Sequence, residues 1–540
     1  VGSAFRRIVA ALLVVAIAAT VLGGQALETS VAILSQTLNR PTPLRDGIGS
    51  ASEAVTTSSD RARAYYNQGL AYLHSFVWIE AARSFNEASR ADPSMPMAHL
   101  GMSYALGELH DSDGAQRAVR AAQKLAAKVS QRERVRIDLR VKQLEAGARR
   151  SDTSLQAAYR SALDVASTNY PDDVEVLLLV GQAQEPGHAA HGMGAGSASL
   201  RFYRRALERQ PEYFATHHYL IHAYENVREF DAALTHAAAY VRLAPSIPHA
   251  HHMHGHVLRR SGRLKEAVAE FRAAAELDTE YQRIEMIPAS LNWHYRHNLD
   301  LLGALHLYQG QHRLAEPILR RSFETASAGP AAENLNRRTW PMFLLSRGRH
   351  EEALAAVNLL VSNQAPLVRA LGHLLRSRVR QARNDLKAAA EDGNAGLRLM
   401  KASGALGGLL LPDFQLAQGE YLLRTGQTEQ GRAMLRDAAS KLRAANAPDA
   451  WTDSLVALEL LTHTAWNLGD WTLADALSME LASHAREYAG ASYALGRVRE
   501  HSGVSSAARM FYAEAIKRWP DAEPDLPALA DARRRLAGLP

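Results

Sequence analysis

The interval of 34 residues recurs along this chain. Pro211 and Pro245 stand 34 apart, as do Ala233 and Ala267, His218 and His252, and His222 and His256. A period of that length is one supersecondary unit, and tandem units of this size bury their apolar faces on one another rather than around a single centre. From residue 61 onward the apolar period within each unit is helical, and strand-like alternation is hard to find. The expected fold is therefore all-α: an α-solenoid of about twelve helix–turn–helix repeats.

The clearest unit is "YYNQGLAYLHSFVWIEAARSFNEASRADP", residues 65 to 93. Gly69 and Tyr72 lie on its first helix, Ala81, Phe85 and Ala88 on its second, and Pro93 ends the pair. The spacing returns at Ser199, Tyr203, Ala206 and Pro211, at Gly255, Ala267, Phe271 and Ala274, and at Gly496, Gly503, Ala508, Tyr512, Ala515 and Pro520. In these positions the chain resembles the tetratricopeptide repeat superfamily, and within it bacterial exported proteins with "LHSF" early and histidine-rich first helices in the middle. The resemblance implies that first helices line a concave groove and that the partners are proteins or peptides. The expected layout is 61–213 for N-terminal repeats, 214–330 for the histidine-rich central repeats, 331–522 for C-terminal repeats and 523–540 for a capping helix.

Residues 1–26 read as a signal peptide or an N-terminal membrane anchor: Arg6 and Arg7 precede an apolar run over 8–22, and small residues follow at Gly24 and Ala26. Export to a periplasmic or extracytoplasmic place is the expectation, with membrane attachment through 8–22 if the segment is retained. Residues 27–60, rich in small and turn residues, read as a linker. The chain has no cysteine, which excludes disulfides, thiolate metal ligands, covalent c-type haem attachment and a cysteine nucleophile. Its 62 basic residues are interspersed with 56 acidic ones, so no basic stripe for nucleic acid forms. "GMGAGS" lacks the lysine and the strand–helix setting of a phosphate-binding loop, which argues against a nucleotide.

Against this background the histidines stand out. Nine of the 23 fall between 217 and 256. At ~100° per residue, His218, His222 and Glu225 share one helix face, and His249, His252 and His256 share the equivalent face one repeat later. His297 takes the same place on a third first helix, six residues before Gly303 as His249 is before Gly255. Six imidazoles and one carboxylate on neighbouring helices suit Zn, Cu, Ni or non-haem Fe rather than calcium. His218, His222, Glu225, His249, His252, His256 and His297 are thus the candidate metal ligands, with Asn298 as a hydrogen-bonding support. His251, His254, His217 and His236 fall off that face and read as packing residues, while His294 fits either role. Two departures from the period, "EPGHAAHGMGAG" at 185–196 and "YQRIEMIPASLNWHY" at 281–295, flank these repeats.

The leading reading is an exported interaction scaffold with a histidine-lined transition-metal site in its central groove. One alternative is a metalloenzyme of hydrolase or oxygenase type, with Glu225 as base or ligand and the 185–196 loop as a gate, although the zinc-protease H-E-x-x-H motif is absent. The other is a metal-free peptide adaptor whose histidines respond to pH.

Overall fold

The computed structural model describes residues 33–184, 194–325, 327–444, 450–484 and 487–540. The leader-like segment 1–26 lies outside them, as do His188 and His191 of the glycine-rich insertion. Among the described residues there is no strand, and from Asp60–His74 to Ser505–Arg518 the α-helices follow one another as twelve hairpins, closed by Pro527–Gly538. No described helix is long and apolar enough to cross a membrane. The chain divides into two compact units, one up to Ala183 together with Phe202–Thr216, the other containing Gln184–Arg201 and His217–Pro540.

In the first unit the repeat's small and aromatic positions explain the close helix packing. The helix Asp60–His74 opens on Ser59, whose side chain accepts from the Ala62 N–H, and Trp78–Ala91 returns antiparallel after Phe76 turns the chain at φ 59°. Phe85 is wholly buried between the two neighbouring first helices. A Cβ at Gly69 or Gly101 would lie 2.5 or 2.4 Å from its ring, so only glycine admits the ring at this depth.

The 27–60 segment is not a plain linker in its described part. Ile48 and Ala51 are buried, Thr42 Oγ1 donates to Glu80 at 3.2 Å, and Thr56 donates to Glu133 through its N–H (2.8 Å) and its hydroxyl (2.6 Å). After a short helix at 33–39, the turn-rich composition therefore marks an irregular strap that is fastened by side chains of the helices beneath it.

In the second unit the same rule holds at Gly255 beneath Phe271, and at Gly496 beneath Tyr512. One hairpin departs from the others. Its second helix, Leu264–Glu285, has 22 residues where the corresponding Trp78–Ala91, Phe230–Leu243 and Ser505–Arg518 have 14, and it stops at Met286 in the left-handed region (φ 51°). The array also meets itself within this unit: Glu523 N–H donates to Gly310 O at 3.1 Å, Arg313 pairs with Asp525 at 2.6 Å and Lys265 with Asp521 at 2.6 Å.

Candidate metal centre

Three first helices carry the histidines: Phe214–Asn226, Pro248–Arg260 and Trp293–Tyr308. Proline at the start of the second fixes φ where no N–H partner is needed, and Asn292 caps the third by accepting from the Tyr295 N–H. Each helix turns one face inward, and the imidazoles on it are buried: His218, His222, His249, His252, His256 and His294 are at most 5% exposed, with His297 half-buried. An open, histidine-lined groove surface is therefore not what these residues form. They fill an interior.

Their nitrogens gather in three overlapping groups: His218, His222 and His249; His249, His252 and His294; His252, His256 and His297. Within each group one ligand atom per residue lies within 4.8 Å of the others. In the first group His218 Nε2 lies 3.1 Å from His222 Nε2 and 3.0 Å from His249 Nε2. Tyr240 stacks on the His218 ring at 5.1 Å and braces it.

Supporting contacts hold the outer nitrogens. His252 Nδ1 faces Asn298 Oδ1 at 3.1 Å, the support that the sequence suggested for Asn298, and leaves Nε2 to point inward. His294 Nδ1–H donates to Asp278 at 2.8 Å, and Asn292 donates to the same carboxylate at 3.0 Å. His294 Nε2 is buried and has no hydrogen-bond partner. The Asn336 amide reaches His297 Nδ1 at 3.2 Å from the short helical segment Ala331–Arg338.

Glu225 belongs to none of the three groups. It pairs with Arg260 at 3.1 Å and lies 3.7 Å from His256 Nδ1, fully buried. Burial pushes its carboxyl up, but His256 and Arg260 beside it outweigh that and hold it down at about 2. Burial, and then the neighbouring imidazoles, keep His249 and His252 well below the ordinary histidine value, so both rings are neutral and offer lone pairs. His251 and His254 turn the other way and share Glu270 at 2.7 and 2.9 Å, and His217 meets His236 at 2.9 Å.

Residues 248–281, the hairpin that carries three of the clustered imidazoles, match the family model described as tetratricopeptide repeat. One repeat of the array, at 248–281, is thus a tetratricopeptide repeat. No curated protein matches the chain. Among solved structures the chain is similar to YrrB, described as "a TPR protein with an unusual peptide-binding site", at 18% identity and TM-score 0.26 over 38% of this chain and 95% of that one. It is also similar to the APC/C hetero-tetramer Cut9–Hcn1, at 11% identity and TM-score 0.32 over 88% of this chain and 89% of that one.

Sequence spacing placed the histidines of this helical array on shared faces but left His294 undecided and passed over Asp278 and Asn336. Asp278 is the first residue past the ordinary 14-residue length of a second helix, in the extension of Leu264–Glu285. The lengthened junction at 281–295 was the available signal: the longer helix brings a carboxylate to a histidine of the following helix, a pairing that a 34-residue register cannot display.

Proposed function

We propose that this tetratricopeptide repeat protein is an exported interaction scaffold whose central repeats hold a transition metal on buried histidines. The observation that carries the metal reading is the meeting of three Nε2 atoms at His222, His218 and His249. A ring nitrogen has one in-plane position, filled by a proton or by a lone pair. His218 Nε2 faces two others at 3.1 and 3.0 Å, so a single proton on it cannot make a well-directed hydrogen bond to both. A cation bound by three lone pairs satisfies all three at once. Bound nitrogens ~2.1 Å from an ion lie about 3.0 Å apart at right angles and about 3.4 Å apart in a tetrahedron, close to the spacing here.

The donor set is imidazole without thiolate, which selects Zn, Cu, Ni or Fe. Glu225, already paired with Arg260, orients His256 and supplies negative charge rather than a bond to the ion. The protein-binding half of the proposal rests on architecture: stacked hairpins present long runs of first-helix surface, which suits an extended peptide or a partner protein. Burial of the imidazoles argues against their lining that surface. Export rests on the leader-like sequence of 1–26.

The test is metal content by plasma mass spectrometry on untagged protein purified without added metal. Stoichiometric transition metal that disappears in a His222→Ala, His256→Ala double variant of normal helicity supports the reading. Protein that neither carries nor takes up Zn, Cu, Ni or Fe overturns it.

A further inference from the structure

The three groups share members, and the sharing decides how many ions they can hold. His249 stands in the first and second, His252 in the second and third. Each ligating nitrogen has one lone pair and binds one terminally held ion. Two nitrogens on one ion are separated by no more than about 4.2 Å, twice a ~2.1 Å bond. The first and third groups have no member in common, and none of the three groups joins His218 or His222 to His256 or His297. One ion cannot gather both ends.

Resting on the metal reading above, we propose that the centre is dinuclear: one ion on His218, His222 and His249, a second on His252, His256 and His297, with His294 between them as a further ligand. His294 is the strongest indication that the middle of the centre also faces a cation. Its Nδ1 proton is committed to Asp278, so Nε2 is a bare acceptor, and that acceptor is buried without a hydrogen-bond partner within 4.8 Å of the ligand nitrogens of both His249 and His252. Carboxylate, imidazole and metal in line is the arrangement by which proteins fix a histidine's tautomer and raise its basicity toward an ion.

Charge fits the same assignment. Two dications held by neutral imidazoles need negative charge nearby. Asp278 stands behind His294 and Glu225 behind His256, at 2% and 0% exposure. The symmetry of the sequence fits as well: each proposed site takes an i, i+4 pair from one helix, with His218–His222 and His252–His256 as the chelating pairs at a 34-residue interval. The dinuclear site is thus one chelating pair repeated, each completed by a histidine from the next helix face: His249 for the first pair and His297 for the second.

The experiment strips the full-length, untagged protein with a chelator, dialyses it against Zn(II) and counts zinc per chain. Two equivalents are expected for the wild type, and one for either His222→Gln or His256→Gln, with helicity by circular dichroism showing that each variant is folded. His251→Gln, whose ring faces Glu270, should still bind two. One equivalent in the wild type, or two retained in either single variant, overturns the dinuclear assignment and leaves a mononuclear metal site standing. No zinc, and no copper in a parallel dialysis, removes the metal reading itself. A second measurement needs no variant: with two Cu(II) loaded, the electron paramagnetic resonance spectrum should show coupling between the ions. Two equivalents of isolated, uncoupled copper would overturn the proposal.

Discussion

In the first unit Glu175 accepts from the Tyr213 hydroxyl at 2.6 Å and lies 3.1 Å from His74 Nε2 and 3.7 Å from Arg136, which itself pairs with Glu53; Tyr66 closes the circuit on Glu53 at 2.6 Å. In the second unit seven imidazoles face one another, and the buried carboxylates Glu225 and Asp278 stand at their backs. Both clusters occupy the interior of helical hairpins and both are rich in titratable groups. The first pairs cation with anion and donor with acceptor, although Arg136 Nε is buried without a hydrogen-bond partner. The second brings ring nitrogen against ring nitrogen, a set that a cation would complete under the metal reading proposed above. Burial and polarity do not tell a structural cluster from a ligand site; the sign and sense of the facing atoms do.

The widest separation between the two should appear on deletion of a member. Glu175→Ala leaves Arg136 and His74 buried without their shared carboxylate, and breaking such a pair costs about 3–5 kcal/mol. Urea unfolding of the metal-free protein measures it, and the loss should be the same with metal present. In the second unit the effect is conditional: metal at ~1,000 times its Kd stabilises by about 4 kcal/mol, and His222→Ala should remove part of that increment. If chelation changes the stability of the wild type no more than that of the His222→Ala variant, the distinction between the clusters fails.

Acid should separate them next. His249 and His252 sit well below the ordinary value in the folded state, so below pH ~6.5 the unfolded chain binds protons that the folded one refuses. Stability from these two neutral rings is full above ~6.5 and falls with acidification at about 1.4 kcal/mol per pH unit for each. Glu175 is different. Burial alone would raise it, but His74, Arg136 and the Tyr213 hydroxyl hold it at about 2, so its contribution is intact down to ~4.5 and is lost between there and about 2. Unfolding of metal-free His249→Gln, His252→Gln protein against pH should therefore lose the decline that the wild type shows from 6.5 to 5, while Glu175→Gln keeps it. A decline unchanged in the histidine variant would mean that other groups drive it.

The parts of this contrast were unequally visible in the sequence. The 34-residue interval gave the hairpins, their all-helical class and the shared faces of His218, His222, His252 and His256, because position on a helix follows from counting. It could not give burial, and the histidines expected on an open groove are interior. It could not give the Glu225–Arg260 pair either, since a carboxylate on a ligand face looks like a ligand until the arginine one helix away is placed beside it. His74, in "LHSF", has its carboxylate partner 101 residues further on, and nothing in its own repeat points to it. Long-range pairs of this kind depend on how non-adjacent hairpins meet, and composition in a single repeat carries no trace of them.

The smallest expected difference lies in the repeat's own grammar. Gly101 in the first unit and Gly255 in the second each lie under an aromatic ring, though at different places in the repeat: Gly101 follows Phe85 by 16 residues, and Gly255 precedes Phe271 by 16. A Cβ at Gly101 would come within 2.4 Å of Phe85, against 3.0 Å from Phe271 at Gly255. Alanine gains about 1 kcal/mol over glycine in a helix interior at both sites. At Gly101 the clash needs Phe85 to move in a filled core, which costs typically 1–3 kcal/mol, so Gly101→Ala should be destabilising by up to about 2 kcal/mol after the gain. At Gly255 a shift of a few tenths of an ångström suffices, and the two effects should nearly cancel. Phe271 also packs edge-on against His252 and His256, at 5.4 and 5.8 Å, so any shift of its ring is passed to two proposed ligands. Gly255→Ala should accordingly leave urea stability of the metal-free protein within ~0.5 kcal/mol while weakening metal affinity, whereas Gly101→Ala lowers stability and leaves affinity alone. Equal losses of stability at both glycines would show that the two units pack their repeats to the same tightness and that the ring above Gly255 has no slack to give.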